Sequence, residues 1–338
     1  MSSAPTADEI WRDATWLAQA LDPGAGLVRL VRMSAEDYRQ ASFLDDRILG
    51  DQGARNAHLL NWAEIANAQP PGARSDVRWI FHIGHVGSTL VSRLLGELEG
   101  VLALREPRAL RDLTFFPPDV RDRFIPTVRA LMSRSFAAEE VAVVKATSMV
   151  SQIAAELTGR MGRALFLFAN PQIYVRTILA GDTSPAELQT LASYYVERAK
   201  GQGIALPVDG PAGIAALVWA CEMSALEQAA ETLPAGSVLW RDFDALLAAP
   251  AGSLREIATF FELAADQGQI RDVAAGPLMT RYSKALEYEF GPETRRRRLD
   301  EASARHAVSI DDALAMLARA AEKAPLLQRA LERSTPDC

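Results

Sequence analysis

Cysteine and histidine are scarce in this chain, and their scarcity limits the kinds of site it can form. Among 338 residues there are two cysteines, Cys221 and Cys338, too few for a disulfide framework and without the paired spacing of zinc ligands. The four histidines form no cluster of metal ligands along the sequence: they are His58, His82, His85 and His306. The sequence therefore predicts neither a disulfide-stabilised fold nor a metal site.

An excess of basic residues and a long apolar run are also missing. Lys and Arg number 36 against 43 Asp and Glu, which gives a net charge of −7, whereas general nucleic-acid binders are basic. The longest apolar candidate, residues 214–221, stops at Glu222 and is too short to cross a bilayer. Residues 1–9 are polar and acidic, unlike a secretory signal. We therefore expect a cytoplasmic enzyme of the bacterial type that binds neither nucleic acid nor membrane.

Short apolar runs separated by helical patterns are what the chain does contain. Strands that are apolar along their whole length are typical of a parallel sheet covered on both faces. Five such strands are predicted, at residues 77–82, 101–104, 141–144, 164–168 and 237–240. The predicted fold class is therefore α/β, a three-layer sandwich with a central parallel sheet flanked by helices.

The sequence divides into three predicted regions. Residues 1–70 form an extension that ends in the linker Pro70-Pro71-Gly72, and we expect it to pack on the main domain without chemistry of its own. The main domain spans residues 77–300. Residues 301–338 are predicted to form a C-terminal helix and tail.

The extension reads as largely helical. Trp11, Trp16, Leu17 and Leu21 fall on one face of a helix that would end at Asp22. The elements predicted after it are a strand at 27–31 and helices at 35–50 and 54–68.

The stretch around residue 85 has the pattern of a phosphate-binding turn. A strand ends at His82, glycines stand at Gly84 and Gly87, and helical spacing begins at Ser88. Ser88 or Thr89 is expected to cap that helix with its hydroxyl. The first N–H groups of a helix point outward and its dipole favours negative charge, so such a turn can hold an anion. An ordinary strand-to-helix turn has the same pattern and remains the alternative.

The turn is not that of a nucleoside triphosphatase. That motif, G-x-x-x-x-G-K-[ST], requires a lysine directly before the hydroxyl residue. Here Gly87 directly precedes Ser88, and the turn contains no lysine. This argues against a P-loop nucleotide kinase or hydrolase acting on ATP and Mg²⁺, which stays open as an alternative.

Two charged residues follow neighbouring predicted strands at the point where each ends. Glu106 comes after the strand at 101–104, and Lys145 directly follows the strand at 141–144. Ligands of parallel sheets bind beyond the carboxyl ends of the strands, so both residues are site candidates. A carboxylate there would serve as general base, and an ammonium would neutralise charge on a leaving oxygen. The structural alternatives are a surface pair of Glu106 with Arg105 and a lysine at the sheet rim.

The glycine turn resembles the 5′-phosphosulfate loop of P-loop sulfotransferases, Pro-Lys/Arg-Ser-Gly-Thr-Thr followed by Trp or Leu. The residues that match this pattern are Gly87, Ser88, Thr89 and Leu90. The residues that stand at its Pro, basic and Ser positions are Gly84, His85 and Val86. The resemblance implies a P-loop NTPase-like fold in which these seven residues hold the 5′-phosphosulfate of 3′-phosphoadenosine 5′-phosphosulfate (PAPS).

In layout the motifs are most similar to those of tyrosylprotein sulfotransferases. That family has a Glu that takes the acceptor's proton where Glu106 stands, and a Lys after the third strand where Lys145 stands. The resemblance thus implies transfer of a sulfuryl group from PAPS to a hydroxyl or amine of a small-molecule or peptide acceptor, without a metal. His85 would assist as hydrogen-bond donor or base.

A second, weaker match concerns the 3′-phosphate of the cofactor. Sulfotransferases have Arg-Asn-Pro-x-Asp after a strand and a Ser eight residues beyond that Arg. Asn170 and Pro171 match, Thr177 stands at the Ser, and Ala169 stands at the Arg. Arg176 is the candidate for the missing charge, and a plain strand-to-helix turn is the alternative.

Two late segments extend the resemblance. The family places a basic loop over the adenosine and its 3′-phosphate, for which Arg281, Ser283 and Lys284 are candidates by position. The acidic turn at 241–250 resembles a structural segment of the family. The run 295–298, four arginines, is expected to be a solvated helix face, with an anion clamp as the alternative.

A third reading of function remains open. The departures at His85 and Ala169 are those expected of a non-catalytic relative that binds a nucleotide, or nothing, and acts through protein contacts. The sequence does not specify the acceptor.

Overall fold

An antiparallel sheet of three strands begins the computed structural model, which describes residues 4–47 and 57–335. The strands pair in the order β1–β2–β3 and lie among short helices. From the amino end the elements are α1 (Ala7–Arg12), β1 (Trp16–Asp22), β2 (Leu27–Arg32), α2 (Ala35–Gln40), β3 (Ala57–Asn61) and α3 (Trp62–Asn67). The extension is therefore a mixed α/β unit.

The helical prediction for this extension is wrong over most of its length. Trp16 and Leu17 lie on β1, because a short apolar run fits a helix face and a buried strand alike, and pairing with β2 decides between them. The strand predicted at 27–31 is confirmed as β2. Of the described residues within the helix predicted at 35–50, α2 alone is a regular helix. Within the helix predicted at 54–68, strand β3 precedes α3. Residues 48–56 of these two predicted helices lie outside the described residues.

The main sheet contains five parallel strands, which confirms the predicted fold class. Its strands are β4 (Arg78–His82), β5 (Val101–Arg105), β6 (Val141–Lys145), β7 (Arg163–Phe168) and β8 (Val238–Asp242). Their order across the sheet is β5–β6–β4–β7–β8. The five apolar runs of the sequence are these five strands, and β4 and β5 are buried at every position.

Helices cover both faces of this sheet. Up to β8 they are α4 (Ser88–Gly96), α5 (Arg108–Thr114), α6 (Pro118–Met132), α7 (Ala154–Thr158), α8 (Pro171–Ala180), α9 (Ser184–Gly201) and α10 (Gly210–Thr232). After β8 they are α11 (Phe243–Ala248), α12 (Pro250–Phe260), α13 (Gln267–Ala274), α14 (Pro292–Ala321) and α15 (Pro325–Ser334). Short 3₁₀ turns occupy Ser148–Ile153 and Pro277–Thr280.

The C-terminal boundary differs from the prediction. Residue 301 falls inside α14, which continues through a kink at His306, so the structure has no break there. Pro325 begins a new helix at its first position, where a missing N–H costs nothing.

The strand order creates a crevice at the carboxyl end of β4. From β4 the chain moves to one side of the sheet for β5 and β6, then to the other side for β7 and β8. Such a reversal is where ligands of α/β sheets bind. The ends of β5 and β6 therefore lie on the same rim as the glycine turn. None of the helices in the described residues has the length and apolarity needed to cross a membrane.

Candidate functional site

The turn after β4 depends on two glycines in the left-handed region. Gly84 has φ +83° and Gly87 has φ +64°, with His85 between them at φ +51°. A Cβ atom added to Gly87 would lie 1.9 Å from Cζ of Phe243, at the start of α11. Only glycine therefore fits this position, both for its backbone angle and for its contact.

The capping prediction for this helix is wrong. Gly87 itself is the residue before the first turn of α4, and no side chain of the described residues caps that turn. Ser88 and Thr89 lie within the first turn and are buried. The first N–H groups of a helix have no partner inside it, so without a cap they are left for an acceptor from outside. This is the geometry of an anion site.

His82, the last residue of β4, stabilises the turn through a hydrogen bond. Its Nδ1 atom accepts a hydrogen bond from Gly84 N–H at 3.0 Å, which places the ring proton on Nε2. Burial, with the charge of Lys145, lowers the pKa of His82 to about 3. The ring is therefore neutral at neutral pH and acts as a fixed brace for the turn.

Glu106 and Lys145 meet beside this turn in a buried ion pair. Lys145 Nζ donates to Glu106 Oε1, and Glu106 N–H donates to the Lys145 carbonyl at 2.7 Å. The side chains are 1% and 9% exposed. Glu106 has φ +55°, in the left-handed region, which is uncommon and strained for a residue other than glycine. The structure thus brings together the two residues predicted from the strand ends.

The charges around Glu106 favour the ionised form of its carboxyl group. Burial alone would raise the pKa of Glu106, but the charge of Lys145, followed by those of His82 and Arg47, holds it at about 2. Burial lowers the pKa of Lys145 in spite of the opposing effect of Glu106. Glu106 is therefore ionised, as a proton acceptor must be.

A third partner of the pair comes from the extension, which was expected to have no chemistry. Arg47 donates through NH2 to Glu106 Oε2 at 2.7 Å. Its Nε atom donates to both oxygens of Asp45, at 3.0 and 2.8 Å, and its guanidinium carbon lies 3.7 Å from the ring centroid of Phe43. Nothing in the sequence around residue 47 marks it, because the contact joins residues 59 positions apart.

The late basic segment reaches the same place through Lys284. Its Nζ atom lies 5.9 Å from the Phe43 ring centroid, and its charge lowers the pKa values of His85 and Lys145. Its carbonyl accepts from Ser42 Oγ at 2.9 Å. The Ser283 carbonyl accepts from Arg93 Nε at 2.8 Å, and the backbone of Arg281, an exposed residue, forms an isolated antiparallel β-bridge with Glu289. Of the three candidates, Lys284 is the one that lies beside the ion pair.

His85 does not supply the positive charge of the family's basic residue. Burial, followed by the charge of Lys284, lowers the pKa of His85 to about 4, so the ring is neutral at neutral pH. Its Nδ1 atom lies 3.5 Å from Ser184 Oγ. His85 is therefore a hydrogen-bonding group of the turn, and the nearby cation is Lys284.

The three candidates for a 3′-phosphate are engaged elsewhere. Asn170 Oδ1 caps α8 by accepting from Ile173 N–H at 2.9 Å, and Thr177 Oγ1 donates to the Ile173 carbonyl at 2.8 Å. Arg176 pairs with Asp300 of α14 at 3.0 Å. Arg176 thus already pairs with a carboxylate, one that is 68% exposed, and its role at a 3′-phosphate stays a prediction. Asn170 and Pro171 fit the alternative reading, a capped turn into a helix.

The acidic turn and the arginine run meet in the structure through Arg295. Arg295 binds both oxygens of Asp244, at 2.5 and 3.1 Å, and lies 5.5 Å from the Phe243 ring centroid. It thereby fixes the ring that packs on Gly87. Arg297 is solvated as expected, 71% exposed. In the part of the chain that the structure describes, no three His, Cys, Asp or Glu side chains are placed to hold a metal ion.

Comparisons with known proteins give matches among solved structures alone, since no protein-family model and no curated sequence matches the chain. One is a sulfotransferase domain from the curacin biosynthetic pathway, with 11% identity and a TM-score of 0.43 over 76% of this chain and 96% of that one. Another is sulfotransferase STF9 from Mycobacterium avium, with 11% identity and a TM-score of 0.42 over 90% and 97%. A third is mouse sulfotransferase SULT7A1 complexed with PAP, with 10% identity and a TM-score of 0.36 over 77% and 89%. All three of these structures are sulfotransferases. The fold and the site of this chain are defined by its own strand order and contacts.

Proposed function

We propose that this chain transfers a sulfuryl group from PAPS to a hydroxyl or amine of a small-molecule or peptide acceptor. The observation that carries the proposal is the buried Lys145–Glu106 pair on the rim of the sheet beside the uncapped first turn of α4. A base, a cation and an anion-binding turn in one crevice are what such a transfer needs. The match of residues 87–90 to the 5′-phosphosulfate loop supports the same reading.

The 5′ end of PAPS fits the residues present. Its phosphosulfate would bind the first N–H groups of α4 and the hydroxyls of Ser88 and Thr89. Lys145 would neutralise the negative charge that develops on the bridging phosphate oxygen as the sulfur–oxygen bond breaks. Catalysis of this kind consists mostly of positioning and electrostatics.

Glu106 would act as the general base. The acceptor oxygen or nitrogen forms a bond to sulfur, its proton passes to the Glu106 carboxylate, and the electron pair of the broken bond leaves on the phosphate of 3′,5′-ADP. His85, neutral at the turn, would donate a hydrogen bond to the phosphosulfate.

The 3′ end fits less well. Asn170 Oδ1 and the Thr177 hydroxyl bond to the Ile173 backbone in α8, and Arg176 pairs with Asp300 of α14, so each of the three already has a partner within the fold. The candidates that remain for the 3′-phosphate are Lys284, with Arg281 and Ser283 beside it in the chain.

One observation favours a second candidate, a nucleotide-binding relative without transfer activity. Both oxygens of Glu106 are occupied, Oε1 by Lys145 and Oε2 by Arg47. A carboxylate held in this way is a weak base. This candidate predicts binding of 3′,5′-ADP without turnover of PAPS.

Release of 3′,5′-ADP from PAPS tests the proposal, because every transfer produces it whichever acceptor is used. We expect release with at least one member of a panel of phenols, alcohols and amines. The Glu106→Gln variant should be slower by about 100-fold or more. Binding of 3′,5′-ADP with no release by any acceptor would favour the second candidate, and Mg²⁺-dependent release of phosphate from ATP would indicate a kinase or hydrolase.

A further inference from the structure

The segment of residues 41–47 forms one wall of the crevice, although it belongs to the extension. Leu44 N–H donates to the Arg105 carbonyl at 2.7 Å, and Arg105 Nε donates to the Ala41 carbonyl at 2.6 Å. Ser42 Oγ donates to the Lys284 carbonyl at 2.9 Å. These bonds tie the 41–47 segment to β5 on one side and to the late basic segment on the other.

Arg47 is held in this wall by three groups. Asp45, whose side chain is 8% exposed, accepts from its Nε atom, and the Phe43 ring lies against its guanidinium plane. The NH2 group lies 2.7 Å from Asp45 Oδ2 and donates to Glu106 Oε2, also at 2.7 Å. A planar guanidinium fixed by a carboxylate and a ring loses little freedom when it binds a second carboxylate. The contact with Glu106 is therefore preorganised.

The two oxygens of Glu106 differ in what can reach them. Oε1 faces Lys145, which is 1% exposed and cannot leave without burying an uncompensated charge. Oε2 faces Arg47, whose side chain is 53% exposed. An acceptor entering from solvent can therefore take the place of Arg47 but not that of Lys145.

We propose that Arg47 is a positioning residue for Glu106: it holds Oε2 at the mouth of the crevice, and the hydroxyl or amine of the acceptor replaces it there on binding. The acceptor part of this proposal rests on the proposed function. The positioning part rests on the contacts of Arg47 alone.

When an acceptor displaces Arg47, the Glu106 carboxylate becomes a stronger base. The charged and titratable groups that face Glu106 are Lys145 from β6, His82 from β4 and Arg47 from the 41–47 segment, with Lys284 next to Lys145. Removing one cation raises the proton affinity of a carboxylate. Without an acceptor, Glu106 stays a weak base, and a water molecule at Oε2 is excluded by the guanidinium.

The ionisation of Glu106 can be followed directly by ¹³C NMR of protein labelled at the glutamate carboxyl carbons, with Glu106→Gln to assign the signal. In the wild-type protein the carboxyl should stay ionised down to about pH 4. In Arg47→Ala its midpoint should rise by about one pH unit or more, and Arg47→Lys should restore part of the difference, since an ammonium keeps the charge but not the fork. Arg39→Ala is the matched control, because Arg39 pairs with Glu97 at the surface and is 61% exposed.

A kinetic measurement accompanies the titration. Arg47→Ala should bind 3′,5′-ADP as the wild-type protein does but release more of it from PAPS when no acceptor is present, since water can reach Oε2. A shifted midpoint supports the positioning role even if the wild-type protein shows no turnover, a result that would refute the proposed function instead. A midpoint in Arg47→Ala that equals that of the wild-type protein and of Arg39→Ala overturns the proposal.

Discussion

Gly87 is the single residue on which the anion site depends most, since it combines a left-handed backbone angle with contact to the Phe243 ring. Gly87→Ala should lower the free energy of unfolding by about 2 kcal/mol or more, because the added methyl overlaps the ring and the backbone angle is strained. Urea denaturation measures the change. Gly252→Ala is a suitable control, because Gly252 lies in α12 with nothing within 4 Å of its added Cβ atom. That variant should be neutral or slightly stabilised, and equal losses in both would contradict the contact with Phe243.

Lys145 and Glu106 should behave as one unit. Lys145→Met leaves a buried carboxylate with Arg47 as its main partner, so we expect a loss of about 3–5 kcal/mol. The double variant Lys145→Met/Glu106→Gln should recover a substantial part of that loss, because no charge is then left unpaired. A double-mutant cycle in urea measures the coupling. Additive effects would show that the two side chains do not interact.

In turnover, Lys145→Ala should lower the rate far more than it weakens binding of 3′,5′-ADP.

The histidines of the turn should make stability depend on pH. The unfolded chain protonates them near pH 6.5, whereas the folded pKa values are about 4 for His85 and about 3 for His82, chiefly because both are buried. The unfolded state therefore binds protons first, and stability falls as the pH drops below 6.5. Each histidine should cost about 2 kcal/mol by pH 5. Glu106 adds a loss only below about pH 4.5, as the pH falls toward its folded pKa of about 2.

The comparison of wild-type protein with His85→Gln isolates one of these contributions. Unfolding free energies at pH 7 and pH 5 should differ less in the variant, by about 2 kcal/mol. An unchanged difference would mean that His85 is protonated in the folded protein and that the burial argument is wrong.

At the scale of elements, the sequence predicts the main sheet well and the extension poorly, for a physical reason. β4 to β8 are continuous apolar runs whose ends carry glycine or charged residues, a pattern with few alternatives. The run that contains Trp16 and Leu17 has both helical and strand spacing, and only the distant pairing with β2 makes it a strand. Local pattern cannot supply that information.

The extension is expected to be part of the folding unit and not a removable appendage. Arg134, just after α6, is buried and donates to the carbonyls of Ile10, Asp13 and Trp16 in the extension. Arg134→Met would leave those carbonyls unsatisfied and should cost about 3 kcal/mol or more. The matched change Arg123→Met, at an exposed pair in α6, should cost under about 1 kcal/mol. Urea denaturation distinguishes the two, and equal small effects would show that the extension is held by other contacts.

At the scale of the whole molecule, the site is a local concentration of cations in an acidic chain. The net charge is −7, yet Arg47, Lys145 and Lys284 all lie within 6 Å of the Phe43 ring centroid.

Lys145 could be predicted because it directly follows a buried strand, and Lys284 because of its position late in the chain. Arg47 could not, since its approach to Glu106 follows from how the extension packs. The prediction for Arg176 rests on its neighbour Thr177, whereas its ion pair with Asp300 follows from the packing of α14 against α8, which the local sequence does not show.

The central claim is that the first turn of α4 binds the phosphosulfate end of PAPS. Isothermal titration calorimetry with 3′,5′-ADP, ADP and ATP with Mg²⁺, on the wild-type protein and on Gly87→Ala, tests it most directly. We predict that 3′,5′-ADP binds most tightly and that Gly87→Ala abolishes the binding, because the added methyl overlaps the Phe243 ring and the strained backbone angle distorts the turn. Preference for ATP with Mg²⁺, no binding of 3′,5′-ADP, or binding that Gly87→Ala leaves unchanged would contradict the account.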